Sequence, residues 1–506
     1  MILAIYDLSG IQSYVFATNK LREMIGASEI IHKALFMNIP QLLGENEDEW
    51  ITSPFTFTDK SRTVYIGGGN ALVAFTSDAE YKRVTRELQK RIFEQAGGAL
   101  KLCSAYIVAD DTKSLAENQK ILMDKLDKNK RVTPAVSTAP CFSINEYDNI
   151  TFEPVLLFDN RYTTRSEYLK NEAYKAYIKS ADASRFTTDV DDFKKTGESK
   201  NYVAVIHIDG NTMGMQIRNF VQNLPVEAGQ IANLDKLKLL SSEINKKFED
   251  VLTETINGMY GSGDDKILFR RIIADGDDIT VICEAEKAID FVAKFCDNLT
   301  PIVIKPNTVI KVTAGAGIAF VKLGFPFYLA YEFAEQCCKN AKKETISRDC
   351  SGDNAKSSFD YQMIYGGITG DIPDFREHNY CFEHGENKFK LIRRPYIFGA
   401  NEPEFDYEKG FKTNLKLIFD ALKNKFARSK LKGLRNAYGQ GYESAVTFGE
   451  YLAAREHNGK NNDFASKLSS VFDSSHYAPF FDVLDILDLL KPELEPESEV
   501  QINADK

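Results

Sequence analysis

The 506-residue chain has no run of about 18 consecutive apolar residues, so nothing in it reads as spanning a membrane. It has no excess of basic charge either. Its 63 Lys and Arg stand against 73 Asp and Glu, a net charge of −10. That excludes a globally basic nucleic-acid binder and leaves room only for a local basic groove. Eight cysteines are scattered without a C-x-x-C pair, and the adjacent Cys337 and Cys338 sit in a helical pattern. They read as reduced, packed thiols of a cytoplasmic protein. The opening residues Met1 to Asp7 carry no basic segment and meet an acid early, so they read as a strand and not a signal peptide. None of the six histidines is followed by Asp, so the His-Asp dipeptide of metal-dependent phosphohydrolases is absent. The single tryptophan, Trp50, reads as exposed loop or interface.

What is present suffices for roughly three domains at ~150 residues each, since 43% of the residues are hydrophobic and 11% aromatic. A continuous apolar run at residues 2–6 predicts a strand buried on both faces. Asp7-Leu8-Ser9-Gly10 then turns into a helix reaching about Leu43. Tyr65-Ile66-Gly67-Gly68-Gly69-Asn70 predicts strand, glycine turn, strand; a helix (Ala79 to Gln95) and a strand (Leu102 to Val108) follow. The pattern recurs after a polar segment. Tyr202 to Ile208 is an apolar strand and Asp209-Gly210-Asn211-Thr212-Met213-Gly214 a turn into a helix. Leu234 to Ile256 is a long amphipathic helix. Arg270 to Cys283 is a hairpin with Asp275-Gly276-Asp277-Asp278 at its tip. A helix (Glu286 to Leu299), a small-residue strand (Val309 to Phe320) and a helix (Leu329 to Lys343) complete the second unit. The expected fold class is α+β: two ferredoxin-like palm (βαββαβ) domains and a C-terminal helical domain. The expected limits are 1–110 and 201–345 for the palms, with 111–200 between them. Residues 346–490 form a mostly helical domain that starts with a loop and strand region (Phe359 to Tyr396) and has helices at Asn414 to Arg428, Ser444 to His457 and Phe464 to Leu490, and 491–506 a disordered tail.

The acidic hairpin is the candidate site. Adjacent carboxylates at a rigid turn repel unless a cation neutralises them, and oxygen-only ligation suits Mg²⁺ or Mn²⁺. Alone, Asp-Gly-Asp-Asp equally suits a solvated turn. The strand ending at Asp209 should neighbour the tip Asp277-Asp278 and so gather three carboxylates, the arrangement phosphoryl transfer needs. Gly210, Asn211 and Gly214 lie at a strand-to-helix turn, where free N–H groups cradle phosphate. Of the lysines on the closing helix (Lys339, Lys342, Lys343), Lys342 is favoured as the cation for a triphosphate. His378-x-x-Cys381-x-x-His384 has ligand-like spacing but no evident fourth ligand, and reads as loop.

These motifs, together with Gly315-x-Gly317-Ile318-Ala319 and Ala334-Glu335 followed by Ala341-Lys342, resemble the large polymerase-cyclase subunit of type III CRISPR effector complexes (Csm/Cmr class) over roughly residues 1–345. The second palm is also similar to GGDEF nucleotide cyclases. The resemblance implies that ATP is joined into cyclic oligoadenylates with release of pyrophosphate. Target RNA would switch this on through partner subunits. It implies that Asp209, Asp277 and Asp278 bind the metals and that Gly276 lies against the nucleotide. Ser9, Gly10, Gly67, Gly68, Gly69 and Asn70 of the first palm would help hold a second ATP. There are departures. The usual Gly-Gly-Asp-Asp is Asp275-Gly276-Asp277-Asp278 here, and the extra acid is a candidate ligand or a modifier of metal or nucleotide preference. No HD nuclease domain precedes the palm, so DNA cleavage is not expected. Cys141 stands alone between the palms, so no zinc ribbon is expected. The chain is short for a complete effector subunit and reads as a stand-alone or divergent member. The alternatives are the same chemistry with another product (a cyclic dinucleotide, or AMP joined to a small acceptor) and a catalytically weak scaffold for RNA or proteins.

Overall fold

The computed structural model describes residues 1–490 apart from 47–49, 52, 59, 133–145, 150, 180–183, 195–200, 264, 305–307, 367–369, 457–461 and 469. The expected tail, Cys141 and parts of the segment expected between the palms therefore lie outside the described residues.

The apolar opening run becomes β1 (Ile2–Ser9), the inner strand of a four-stranded sheet. Helices α1 (Ile11–Phe16), α2 (Leu21–His32) and α3 (Asn38–Leu43) lead to the hairpin β2 (Arg62–Gly67) and β3 (Asn70–Phe75). Helix α4 (Asp78–Ala96) starts where the Ser77 side chain accepts the Glu80 N–H, with Asp78 and Glu80 in its first turn, and stops at Gly97. Strand β4 (Lys101–Val108) completes the order β2-β3-β1-β4, antiparallel throughout. Both faces of β1 are covered. Ala4 and Tyr6 join a core with α2 and α4, while Leu3 and Ile5 pack under α5 (Leu115–Val132). A small hairpin, β5 (Leu156–Phe158) and β6 (Arg161–Thr163), and α6 (Arg165–Tyr177) occupy the segment between the repeats.

The second unit repeats the plan. Strand β7 (Tyr202–Gly210) leads through α7 (Met213–Gln222) and α8 (Gly229–Tyr260) to the hairpin β8 (Phe269–Asp275) and β9 (Asp278–Glu284). Then come α9 (Ala288–Asn298), a short β10 (Ile302–Ile304) and β11 (Thr308–Ile310) pair, β12 (Ala314–Lys322) and α10 (Phe327–Ser347). The order β12-β7-β9-β8 reproduces β4-β1-β3-β2. Helices α8 and α9 cover one face of this sheet; α10 covers the other. That second face shares one apolar core with the first palm: Val205 and Ile282 cluster with Tyr6, Phe16 and Phe333. Asn19 of the first unit also caps α10, accepting the Phe327 N–H at 3.0 Å.

The sheet continues past residue 345. Strand β13 (Ser358–Met363) adds in parallel to β12. After α11 (Ile372–Tyr380) and the hairpin β14 (Cys381–His384) and β15 (Asn387–Lys390), β16 (Tyr396–Ile397) pairs with β13. The remainder is helical: α12 (Thr413–Lys423), α13 (Arg428–Gly439), α14 (Tyr442–Glu456), α15 (Asn462–Leu468) and α16 (Phe481–Asp485). The expected single helix from Phe464 to Leu490 is broken. Asp473 accepts the Ser475 and Tyr477 N–H groups in a turn, and Pro479 lacks the donor a helix needs. The strand expected at Val309 to Phe320 is two strands. Trp50 is buried, not exposed, its ring edge-on to Phe36 at 5.1 Å. Among the described residues, no helix is long and apolar enough to cross a membrane.

Candidate functional site

Asp209 and Asp278 are direct partners across β7 and β9, as are His207 and Thr280 two residues in. Strand alternation puts all four on the face that α10 covers. Asp277 follows Gly276, whose φ of 65° admits the turn at little cost to a glycine. The Asp277 carbonyl accepts the Gly210 N–H at 3.2 Å, and a Cβ on Gly210 would lie 2.7 Å from Asp277 Oδ2. Gly210 therefore leaves the space in which Asp277 sits beside Asp209.

Two other glycines let α10 come down onto this face. A Cβ on Gly317 would lie 1.9 Å from the Ala334 carbonyl oxygen, and one on Gly315 would lie 2.5 Å from Lys342 Cγ. With that approach, Lys342 Nζ reaches Asp209 Oδ2 at 2.5 Å and the Gly210 carbonyl at 2.8 Å. Lys339 turns away to Glu335. Asn211 donates to Thr313 Oγ1 and to the Lys356 carbonyl, both at 3.1 Å, so it ties the turn to the strands beside it. Around Gly214 there is open space, and its lack of a side chain answers no steric need.

The electrostatics follow from burial. Desolvation first, and the Asp209 charge next, push Asp277 up to about 6 and Asp278 up to about 7. Burial lowers His207 to about 4, so a neutral imidazole sits behind the carboxylates, its Nδ1 3.1 Å from Thr280 Oγ1 and its ring edge-on to Tyr331. Asp278 Oδ1 is buried and without a hydrogen-bond partner. Carboxylates that resist ionisation, one with an orphaned oxygen and all with oxygen donors only, fit a hard divalent cation. Among the described residues no three such side chains form a ready-made metal cage. In this conformation Lys342 supplies the positive charge on Asp209.

The first palm carries a counterpart. Asp7 pairs with Asn70 in the register in which Asp209 pairs with Asp278. Lys130, from the helix that follows β4, meets Asp7 at 2.8 Å as Lys342, from the helix that follows β12, meets Asp209. Ser9 donates to Asp7 at 2.7 Å, within its own palm, and Gly10 caps α1. The glycine hairpin reaches the other palm instead. Gly69 N–H donates to Asp275 Oδ2 at 3.0 Å. Asn245 of α8 donates to the Ile66 carbonyl at 3.3 Å and packs beside Gly67 and Gly276, while Asn70 closes its own turn on the Gly68 carbonyl.

The structure thus gathers Asp209, Gly210, Asn211, Gly276, Asp277, Asp278 and Lys342, and sets Gly67 to Gly69 against the acidic tip. His207, Asn245, Tyr331 and Lys130 escaped the sequence reading. His207 was legible, lying two strand positions before Asp209. Asn245 gave no signal in a long amphipathic helix. The His378, Cys381 and His384 trio does not converge: His378 bonds the Asp374 carbonyl and His384 stacks on Tyr442. A cavity of about 940 Å³ lies away from the carboxylates, against Lys20, Glu23, Tyr162 and Glu167. There Lys20 is already paired with both glutamates.

Two palms sharing a core, one with an acidic hairpin and one with a glycine hairpin, define a tandem-palm protein. Within that class, residues 202–351 match the model of the Cas10/Cmr2 second palm domain. No curated protein sequence matches the chain. Among solved structures, the Csm1-Csm4 cassette in complex with one ATP matches at 14% identity and a TM-score of 0.56, over 96% of this chain and 69% of that one. The same cassette with pppApA matches at 13% and 0.55, over 96% and 68%. With cA4 the values are 13% and 0.53, over 96% and 69%. At this identity the likeness is one of fold.

Proposed function

We propose that the chain is a metal-dependent nucleotidyltransferase that joins ATP into cyclic oligoadenylates. The observation that carries the proposal is the pairing of Asp209 with Asp278, with Asp277 seated against Gly210, under a helix that delivers Lys342. The complexes of the similar cassette with ATP, pppApA and cA4 support the choice of nucleotide and product.

Asp209, Asp277 and Asp278 would hold Mg²⁺ or Mn²⁺. When bound, such ions neutralise a triphosphate and make the attacking 3′-hydroxyl easier to deprotonate. Lys342, already at the mouth of the carboxylate set, exchanges Asp209 for a phosphate oxygen. Gly276 would lie against the nucleotide, and Gly210 makes the room in which Asp277 sits. The neutral His207, bonded to Thr280, lies behind Asp278, its Nδ1 3.6 Å from Asp278 Oδ1. Ser9, Gly10 and the Gly67 to Asn70 hairpin hold the second ATP, so that one nucleotide meets the other across the palms. A Csm4-type subunit and target RNA are the partners this reading calls for.

The test is incubation of the full chain with labelled ATP and Mn²⁺ or Mg²⁺, with and without RNA, and identification of products by mass spectrometry. The expected result is pyrophosphate and a cyclic oligoadenylate, lost in the folded Asp277→Ala/Asp278→Ala double variant. A dinucleotide or an adenylylated acceptor would replace the product assignment. Undiminished turnover in the double variant would remove the carboxylates from the chemistry.

A further inference from the structure

Asp275 ends β8 and pairs with Asp278, so it stands at the foot of the acidic tip. Its carboxylate shares a sheet face with Asp278, and one of its oxygens is engaged by the other palm. Oδ2 accepts the Gly69 N–H at 3.0 Å, from a residue 206 positions away in the other palm. The other side of that glycine is also engaged: the Gly69 carbonyl accepts the Leu8 N–H at 2.8 Å, on the strand that carries Ser9. Gly69 has a φ of 72°, and a Cβ there would lie 2.6 Å from Ile11 Cδ1. Gly69 is thus held on both sides, with its N–H aimed at the second palm. Asn245 lies in the same seam, bonded to the Ile66 carbonyl and 3.2 Å from where a Gly276 Cβ would be.

We propose that Asp275 is a positioning residue, the clamp that fixes the first palm's glycine hairpin against the acidic hairpin, and not a further metal ligand. A hydrogen bond to a charged acceptor is among the stronger ones available to a backbone N–H, and an unpaired N–H in this seam would be costly. The consequence rests on the nucleotidyltransferase reading. Two nucleotides, one held by each palm, react only when the hairpins keep a fixed separation, because small displacements of the reacting groups cost large factors in rate.

The experiment compares the full-length wild type with Asp275→Ala and Asp275→Asn. Asparagine keeps an oxygen that accepts the Gly69 N–H but has no charge for a cation. Amide hydrogen exchange at residues 67–70, measured without nucleotide, should be roughly tenfold faster in Asp275→Ala and near wild type in Asp275→Asn. In turnover, Asp275→Ala should raise KM for ATP and lower kcat at an unchanged half-saturating Mn²⁺ concentration, and Asp275→Asn should restore both. Unchanged exchange in Asp275→Ala would overturn the clamp. So would an asparagine variant as impaired as the alanine one and needing more Mn²⁺, which is the signature of a ligand. If the wild type itself does not turn over ATP, the functional reading fails, and the exchange data still decide the clamp.

Discussion

Lys342 illustrates what one side chain does here. It lies on a helix rich in lysine, where most such residues are solvated, yet its Nζ touches Asp209 and the Gly210 carbonyl while Lys339 pairs with Glu335. The difference is position along the helix: residues three apart share a face, and Lys342, nearly a turn further on, is the one that lies over Gly315. Its stem runs in the space that Gly315 leaves by lacking a Cβ, and its compact ammonium is not interchangeable with a planar guanidinium. Lys342→Ala should lower kcat/KM for ATP by about 100-fold, or about 2.7 kcal/mol, with the fold intact. Lys342→Arg should not restore it. Steady-state kinetics with a thermal melt as control checks both. The candidate Lys342 and the three aspartates were legible because each sits in a local motif. His207 needed only the two-residue strand period. Asp275 was visible as an extra acid, but its direction was not, because that depends on a peptide in another domain.

At the scale of elements, the contact between β12 and α10 builds the site. Gly315-x-Gly317 read as a strand of small residues, and the reason for their size appears only when the helix lies on them. Gly317→Ala would drive a Cβ into the Ala334 carbonyl and the Cys338 N–H. Backbone on both sides cannot yield cheaply, so we expect a loss of about 3 kcal/mol or more in denaturant unfolding, with nucleotide binding lost as α10 lifts. Gly214→Ala is the contrast. It lies near the start of α7 in open space, and alanine there should leave stability unchanged or raise it by up to about 1 kcal/mol. The elements themselves followed from periodicity wherever a run was long. The misreadings fell where a side chain made a turn, as at Asp473, and where a short strand pair interrupted a longer apolar run.

At the scale of the molecule, the palms are joined by a common core and the C-terminal helices are locked on by buried charge. Asp482 is almost fully buried. It accepts hydrogen bonds from the Arg393 and Arg394 N–H groups, from Arg394 Nη1 and from the Tyr396 hydroxyl. Its own carbonyl takes the Tyr361 hydroxyl of the extended sheet. Asp482→Ala would leave the buried Arg394 guanidinium with Asp485 alone and the Tyr396 hydroxyl without its acceptor, and should cost about 3–5 kcal/mol in equilibrium unfolding. A smaller effect, under about 1 kcal/mol, would mean that the helices dock by apolar packing alone.

The amino-acid sequence by itself determined the repeat, the strand ends and the carboxylates on one of them. Those features depend on hydrophobic period and turn chemistry, which act over a few residues. Only the tertiary structure decided which way Asp275 faces, that Asn245 stands between the hairpins, and that Lys130 mirrors Lys342. Each of those is a contact between segments far apart in the chain. The first two exist because the palms are buried against a common core and the third because α5 packs on β1, and burial selects a docking geometry that no local pattern encodes.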